Sequence, residues 1–529
     1  MTKKLLGHWP FILLILTLGV YLGVKAVPEN SWDGWRVGSA QTLLSDKQWA
    51  EDGILNNYFL FLPQGYSKTV RYFDDPELRQ HSRGIATGGF IGKRLYYTHY
   101  PFSYLLPTAL LMKFGVENRF WLRLLEILFS LGGLAFLYWF LNIVSNRLAA
   151  LAGALFYGAS TIFLDYADSL ANQPLDDLWR FAAIALSVFS LSASEKNKKY
   201  LNYGVWSLFF LASISSYDST LFILAWLVGL DLLILKKINF KKWLFWSSAP
   251  ALAFGVQIFQ NYLYLGWHNM ILDFYGAFKV GILGSRDNFF ISHFKRLIEP
   301  FGWFFGVQWY LGIIISFLGI WCLKIIKKYS GEILNIRYLY LTLIAILSHF
   351  LFFPSLFFYQ GRLIAVFAAL LMGSLTVFSF KTLFRQELKI NARIVFAIIL
   401  IAILGLWLIQ TNRTYAYIKN WPNNIWPQEN INFDKKIKNL VAGDKVIFQI
   451  SKRGAASEDE YYTGAPILEF TNIKDLARDY NYLKNRSEFP FSAIIISDEK
   501  ENLNAIQKNL GLKKDITEID NKFVIVIPE

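Results

Sequence analysis

Apolar runs long enough to cross a bilayer recur along most of this 529-residue chain. We recognise about eleven of them at the length of a transmembrane helix. They fall at 9–27, 119–143, 148–164, 178–193, 202–216, 219–235, 243–262, 303–323, 338–353, 363–380 and 394–410. Charged residues make up only 17% of the chain, against about 25% in soluble domains. The sequence therefore predicts a polytopic α-helical membrane protein.

The net charge of +14 belongs to this apolar part of the chain. From Thr411 to the end, Lys and Arg together number 17, and so do Asp and Glu. The excess positive charge gathers in short segments that alternate along the chain, at 1–4, 146–147, 195–199, 236–242, 324–337 and 381–393. This is the pattern of the positive-inside rule, so these segments are predicted to be cytoplasmic. We expect no nucleic-acid partner.

The same alternation predicts a cytoplasmic N-terminus and an extracytoplasmic face formed by 28–118, 263–302 and the tail after Thr411. We expect an integral protein of the bacterial inner membrane. The first apolar run is interpreted as a retained span rather than a signal peptide, because Lys25 occupies the middle of its cleavage-site-like tripeptide. The single cysteine, Cys322, excludes an intrachain disulfide framework and a Cys-rich metal site.

The tail has a different pattern. Short β-rich runs at 445–450, 493–497 and 523–527 alternate with helical stretches at 475–483 and 501–510. Strands that alternate with helices predict a small α/β domain with a partly parallel sheet. We therefore predict a transmembrane domain over 1–410, which includes the external loop 28–118, and an extracytoplasmic α/β domain over 411–529.

Asp33 follows the first span directly, within Ser31-Trp32-Asp33-Gly34-Trp35-Arg36. A carboxylate at the edge of a bilayer is well placed to act as a base on a lipid-borne substrate. An exposed loop Asp between two interfacial Trp residues is the simpler interpretation, and both stay open. Because such a residue would be exposed, its replacement should cost little stability.

A second acidic cluster follows the third span and shares the predicted face of Asp33. Its members are Asp165, Asp168, Asp176 and Asp177. Two acidic sites on one face fit an enzyme that activates a hydroxyl, and they are also compatible with a divalent cation. Pro174 and the two following Asp residues equally fit an ordinary helix start.

Together with Asp168, basic and aromatic residues on the same predicted face are candidates for substrate binding: Arg36, Lys93, Arg94, His99, Tyr100, Arg286 and Arg362. A guanidinium group suits the oxygens of a phosphate through paired hydrogen bonds. Anchoring at the lipid headgroups explains these side chains equally well. No HExxH, GxSxG or Walker motif occurs, so protease, esterase and ATPase functions have no support.

Several short motifs, in this order, resemble the GT-C glycosyltransferases, in particular the protein O-mannosyltransferase and aminoarabinose-transferase group. Asp33 occupies the place of the acid that follows the first span. The other matching elements are Tyr97-Thr98-His99-Tyr100-Pro101, Lys113-Phe114-Gly115, Arg119–Arg123, the helical pair 148–193 with Asp176 or Asp177, Arg362, and Glu460-Tyr461-Tyr462-Thr463-Gly464-Ala465-Pro466. Many relatives carry a second acid after the first, where this chain has Gly34.

The resemblance implies a membrane glycosyltransferase, a hexosyl- or pentosyltransferase of the cell envelope. It would move a sugar from a polyprenyl-phosphate donor to a hydroxyl of a lipid, glycan or protein acceptor, with inversion at the anomeric carbon. Asp33 would be the base, and Asp176 and Asp177 the second acidic element; no nucleotide or redox cofactor is required. The alternatives are a lipid or solute transporter or flippase, and a non-enzymatic envelope assembly protein.

Overall fold

The structure is a computed structural model that describes residues 8–62, 96, 98, 101, 103–283, 298–330, 336–352, 362–383, 390–420, 426–450, 457–486 and 490–528. The chain divides into two compact units. One, called the helical unit here, comprises Met1–Val27, Arg123–Gln257 and Phe278–Asn423. The other, called the mixed unit, comprises Pro28–Leu122, Ile258–Ala277 and Asn424–Glu529.

This division differs from the boundary predicted at 410. Most of the loop 28–118 and the tail fall in one compact unit. The last long helix also continues to Asn420, so a boundary at 410 would cut it. The division into a catalytic membrane part and an accessory tail concerns function, and it stays a prediction.

Helices of very different lengths account for most of the helical unit. They are α1 Trp9–Ala26, α4 Arg119–Val144, α5 Arg147–Gly158, α6 Thr161–Tyr166, α7 Gln173–Phe189, α8 Glu195–Ser215, α9 Tyr217–Gly229, α10 Phe240–Leu283, α11 Trp309–Ser330, α12 Arg337–Phe352, α13 Ala365–Leu383 and α14 Ile390–Asn420. Two of these helices are divided between the units: the first turn of α4 and the middle of α10 belong to the mixed unit. Each predicted apolar run overlaps one of these helices or a pair of them.

Four helical segments in the described part are long and apolar enough to cross a membrane: Trp9–Ala26, Arg119–Val144, Arg362–Thr382 and Phe396–Asn420. A fifth span results if Ile298–Phe305 and Tyr310–Ile325, which meet at a bend of 77°, are counted together. The chain is therefore an integral membrane protein, and the predicted count of about eleven spans is not confirmed.

Two of the predicted spans are interrupted. The run 148–164 is divided between α5 and α6, because the Ser160 hydroxyl accepts a hydrogen bond from the Phe163 amide at 3.2 Å and caps a new helix. The run 219–235 ends in a π-helical turn, Leu230–Leu235. These breaks end the regular α-helix before it reaches the usual spanning length.

Close contact between α5 and α13 depends on two glycines. A Cβ atom added to Gly153 would lie 2.4 Å from the Ala369 carbonyl oxygen. One added to Gly373 would lie 2.2 Å from the Ala149 carbonyl oxygen. Small residues four apart on both helices thus allow backbone-to-backbone packing, as is common between membrane helices.

The mixed unit contains a five-stranded sheet and several helices. The helices are α2 Arg36–Asp52, α3 Leu106–Lys113, α15 Gln428–Lys438, α16 Ser457–Thr463, α17 Ile473–Arg486 and α18 Lys500–Leu510. The strands are β1 Lys445–Ile450, β2 Ile467–Phe470, β3 Ser492–Ser497, β4 Thr517–Ile519 and β5 Lys522–Ile527.

The sheet has the order β2-β1-β3-β5-β4. Strand β1 is parallel to β2 and β3, whereas β5 is antiparallel to its neighbours β3 and β4. Alternate residues of β1 face different cores: Phe448 packs with Tyr480 and Leu503, and Ile447 packs with Ile437. Burial of both faces explains why the centres of β1 and β3, 446–448 and 493–496, are apolar without alternation. The predicted partly parallel α/β arrangement is confirmed.

Candidate active site

Asp33 is buried rather than exposed, with 6% of its surface accessible. Its Oδ1 accepts a hydrogen bond from the Trp35 amide at 2.7 Å, and its Oδ2 accepts one from the Ser39 hydroxyl at 2.6 Å. Trp35 directly precedes α2 and Ser39 lies in its first turn, so these two bonds hold the carboxylate against the start of this helix. The expectation of an exposed loop Asp is wrong, because the chain folds back over the carboxylate at this helix start.

Arg119 fixes the segment that leads to Asp33. Its guanidinium lies 4.2 Å from the centre of the Trp32 ring, and Nη2 donates to the Ser31 carbonyl at 2.8 Å. The same group donates to the Glu29 carbonyl. A buried, planar cation with several donors holds a backbone turn more rigidly than an ammonium group would.

The tail supplies further contacts to this segment. The Trp426 amide donates to the Asn30 carbonyl at 2.8 Å, and the Tyr462 hydroxyl donates to the Glu29 carbonyl at 2.8 Å. Burial raises the pKa of Tyr462 to about 12, with Arg119 acting in the opposite direction, so the hydroxyl remains a donor at neutral pH. These contacts hold the backbone just before Asp33 in place within the mixed unit.

Arg36 binds an acid of the tail. Its Nε lies 3.0 Å from Glu458 Oε1, and its guanidinium lies 5.1 Å from the centre of the Trp426 ring. Half of the Arg36 side chain remains exposed, whereas Glu458 is buried. Arg36 therefore anchors the start of α16, and its predicted role in binding substrate stays a prediction.

Asp46 is a further buried acid of α2, on the side packed against α3. Burial raises the pKa of Asp46 well above its ordinary value, and the nearby Thr108 hydroxyl offsets only part of this effect. That hydroxyl, near the start of α3, donates its proton to the Leu105 carbonyl at 3.0 Å. A carboxyl group in such surroundings is most stable with its proton retained.

In the helical unit, the first turns of α7 carry a cluster of opposite charges. Arg180 Nη1 lies 2.9 Å from Asp176 Oδ2, and Arg180 Nη2 also contacts Asp177 Oδ1. These residues meet because side chains three and four positions apart share one face of a helix. Asp176 and Arg180 are fully buried, so each charge depends on the other.

Arg362 joins this cluster from the residues just before α13. Its Nη1 lies 3.1 Å from Asp177 Oδ2 and donates to the Gln173 carbonyl at 2.7 Å. The Tyr157 hydroxyl, from the end of α5, donates to the same Asp177 oxygen at 2.8 Å. The close packing of α5 on α13 therefore brings Tyr157 and Arg362 to one carboxylate. Two guanidinium groups face two carboxylates, and the cluster is electrically balanced.

Asp168 forms a separate buried network. Lys25, at the end of α1, lies 2.8 Å from Oδ1, and Arg123 of α4 contacts Oδ2. Burial alone would raise the pKa of Asp168, but the two cations outweigh burial and hold it below its ordinary value. Lys25 also donates to the Leu164 carbonyl at 2.8 Å. In this arrangement Asp168 positions the ends of two helices, and its predicted contact with substrate stays a prediction.

Among the described residues, no three His, Cys, Asp or Glu side chains form a group that could hold a metal ion. Asp168, Asp176 and Asp177 are instead paired with Lys and Arg side chains. These three acids therefore do not fit a site for a divalent cation, and no step of the reaction is assigned to a metal ion.

Five of the predicted site residues lie outside the described part of the chain: Lys93, Arg94, His99, Tyr100 and Arg286. Conversely, sequence reasoning did not select Lys25, Tyr157, Arg180 and Tyr462 as site residues. The four-residue spacing of Asp176 and Arg180 could have identified that pair. Tyr157 carries no such signal, because its contact depends on helix packing.

Comparison with models of known families and with curated protein sequences gave no match. Solved structures do match. ArnT from Cupriavidus metallidurans, bound to undecaprenyl phosphate, aligns over 98% of both chains with a TM-score of 0.57 and 11% identity. The apo state of ArnT has a TM-score of 0.52 and 12% identity, covering 98% of this chain and 97% of that one.

The oligosaccharyltransferase of Archaeoglobus fulgidus, in the apo form, is also similar. It aligns over 93% of this chain and 70% of its own, with a TM-score of 0.52 and 11% identity. ArnT and this enzyme are both GT-C glycosyltransferases. The resemblance recognised in the sequence is therefore confirmed at the level of the fold.

Proposed function

We propose that this protein is a membrane glycosyltransferase that moves a sugar from a polyprenyl-phosphate donor to an acceptor hydroxyl. The observation that carries the proposal is the similarity over nearly the whole chain to ArnT, a structure that contains undecaprenyl phosphate. Fold alone does not fix an activity. The buried acids and guanidinium groups described above add chemical support.

In the proposed reaction, the acceptor oxygen attacks the anomeric carbon of the sugar. The bond between that carbon and the phosphate oxygen breaks, and the polyprenyl phosphate leaves with the bonding electrons. Asp33 takes the proton of the acceptor hydroxyl, a contribution of about 10²–10⁴-fold for a general base. A single displacement of this kind inverts the configuration at the anomeric carbon.

Asp33 suits this role because its orientation is fixed before substrate arrives. The hydrogen bonds from Trp35 and Ser39 hold the carboxylate in one geometry. The segment before it is fixed by Arg119 through backbone contacts. Positioning within such narrow limits is what a catalytic base requires, because small displacements reduce its effect strongly.

Arg362 is the proposed contact for the donor phosphate. Its guanidinium is bound by Asp177 and by the Gln173 carbonyl, which fix the direction in which it points. A phosphate oxygen would share the Arg362 donors with Asp177. The proposed role of Asp176 and Asp177 is to orient this arginine, while Lys93, Arg94 and Arg286 remain further candidates from the sequence.

The reaction is proposed to occur on the extracytoplasmic face. Reporter fusions after Lys242 and at Glu529 should give opposite locations, cytoplasmic and extracytoplasmic respectively. If both reporters gave the same location, the proposal that Asp33 and the tail lie on the extracytoplasmic face would be contradicted. The two alternative functions, a transporter or flippase and a non-enzymatic assembly protein, are distinguished by activity: neither would transfer sugar from the donor to an acceptor.

The activity can be tested with membranes that contain the full chain. They are incubated with a panel of polyprenyl-phosphate sugars, each radiolabelled in the sugar, together with envelope lipids, glycans and proteins as acceptors. The proposal predicts labelled product from at least one donor, above the level of membranes that lack the chain. Absence of transfer from every donor, with the chain present at normal amounts, would contradict it.

A further inference from the structure

A cavity of about 320 Å³ opens within the mixed unit, beside the segment that leads to Asp33. Its walls come from α2, from the end of α3 and the turn after it, from α15, and from α16 and the turn that follows. Its lining includes Glu29, Lys47, Lys113, Lys438, Tyr461 and Tyr462. This volume lies at the lower end of the range for small-molecule sites.

Part of the cavity lining is apolar. Leu43 and Leu44 of α2 line it and are almost fully buried. Tyr461 and Tyr462 lie next to each other with their ring centres 5.2 Å apart, and Trp32 packs edge-on against both rings. Rings fixed in this way offer rigid surface at little entropic cost, which suits the carbon face of a sugar ring.

The lining of the cavity carries four lysines and three glutamates, so its net charge is slightly positive. Lys435 lies 2.7 Å from Glu29, and Lys47 lies 3.8 Å from Glu51, so these lysines are paired. Lys113 and Lys438 are exposed and form no ion pair with any described residue. Glu117 lines the same cavity and offers carboxylate oxygens that could accept from sugar hydroxyls.

We propose that this cavity binds the acceptor, and that the acceptor is an acidic saccharide with its carboxylate or phosphate held by Lys113 and Lys438. The inference rests on the proposed function, since it names the acceptor class for that reaction. A lining that is partly apolar and partly charged fits a sugar that bears an anionic group. A prenyl or acyl chain would instead require a continuous apolar surface.

The position of the cavity fits an acceptor. Glu29 lines it, and Asp33 follows only four residues later in the chain. At about 3.8 Å per residue, the Cα atoms of these two residues lie at most about 15 Å apart. An oligosaccharide of a few sugar units can span that distance, so its end could reach Asp33 while another unit fills the cavity.

Binding is tested without any donor, using the full chain in detergent and isothermal titration calorimetry. The probes are a glucuronate-containing disaccharide, glucose 6-phosphate, and a neutral disaccharide of the same size. We expect at least one acidic probe to bind more tightly than the neutral one. The double variant Lys113→Glu, Lys438→Glu should bind that acidic probe at least tenfold more weakly than the unmodified chain does. The acidic probe that binds identifies the anionic group.

Lys508→Glu on α18 is the matched control, because Lys508 is also exposed but does not line the cavity. The affinity of this control variant for the acidic probe should equal that of the unmodified chain, and the unfolding midpoints of all variants should agree. Equal affinity for acidic and neutral probes would overturn the proposal, and so would equal weakening by the control. Since no donor is present, a negative result counts against the cavity alone, whereas the donor panel tests the proposed function.

Discussion

Arg362 Nη1 and Asp177 Oδ2 lie 3.1 Å apart in the helical unit, although the two residues are far apart in the chain. The contact joins the residues just before α13 to the N-terminal part of α7. The contact fixes the direction of the Arg362 guanidinium, and it also neutralises part of its positive charge. Replacing either residue is therefore expected to change both the stability of the protein and its proposed activity.

Removal of Arg362 should lower stability. Breaking a buried ion pair by deleting one partner typically costs about 3–5 kcal/mol, since the other charge stays buried. We expect Arg362→Ala to lower the unfolding midpoint in detergent, and Asp177→Asn on that background to restore part of the loss. Effects that simply add in the double variant would show that the two side chains are not coupled.

Arg362→Lys addresses the donor phosphate. Lysine keeps the charge but loses the planar pair of donors. We expect the apparent KM for the donor to rise about tenfold, as for loss of a charge-assisted contact of about 1.5 kcal/mol, while the unfolding midpoint changes less than in Arg362→Ala. An unchanged KM in a folded variant would assign Arg362 a structural role only.

Asp33→Asn should abolish most transfer while keeping the fold. The amide oxygen can still accept from the Trp35 amide, and the Ser39 hydroxyl can reverse its direction. We expect transfer to fall by at least about 10²-fold, measured as initial rate. Ser39→Ala removes one of the two hydrogen bonds that position the carboxylate but leaves the base itself, so we expect a smaller loss of transfer than in Asp33→Asn. Equal losses in both variants would mean that Asp33 only holds the turn before α2.

Gly373→Ala should destabilise the helical unit, because the new methyl would meet the Ala149 carbonyl at 2.2 Å. Overpacking of this kind costs about 1–3 kcal/mol. Gly405→Ala on α14 is the matched control, since nothing lies within 4 Å of its added Cβ. The control should leave the unfolding midpoint unchanged or raise it. A midpoint for Gly373→Ala equal to that of the control would contradict the packing of α5 on α13.

Asp46 gives a pH dependence of defined sign. Its pKa in the folded state is raised, so its stabilising contribution is complete below the unfolded pKa of about 3.9 and is lost as pH rises towards the folded pKa. The unfolding free energy should fall in that window by about 1.4 kcal/mol per pH unit relative to Asp46→Asn. The difference between the two proteins, followed by thermal unfolding, isolates this group. A constant difference with pH would contradict the raised pKa.

The strands β1, β3 and β5 could be predicted from the sequence, because each is an apolar run with both faces at least partly covered. Strand β2 escaped prediction because it has only four residues and includes Glu469. Strand β4 has three, none of them buried. Such short segments become strands through pairing with a neighbour, and this pairing leaves little trace in the local pattern.

The functional roles of the selected residues stay predictions, but the grouping of some of them can be compared with the structure. Asp176, Asp177 and Arg362 could be selected from the chain order and charge, and the structure brings all three together. Their pairing could not be predicted, because no local spacing relates residue 362 to residue 177. The burial of Asp33 was missed for a related reason: it depends on the packing of the chain around the start of α2.

The most direct test of the account uses purified protein and a polyprenyl-phosphate sugar labelled in both the sugar and the prenyl chain. We predict that the unmodified chain releases polyprenyl phosphate and transfers sugar to acceptor in equal amounts, and that Asp33→Asn does so at least about 10²-fold more slowly. Release of sugar to water without transfer would contradict the account, and so would equal rates in the two proteins.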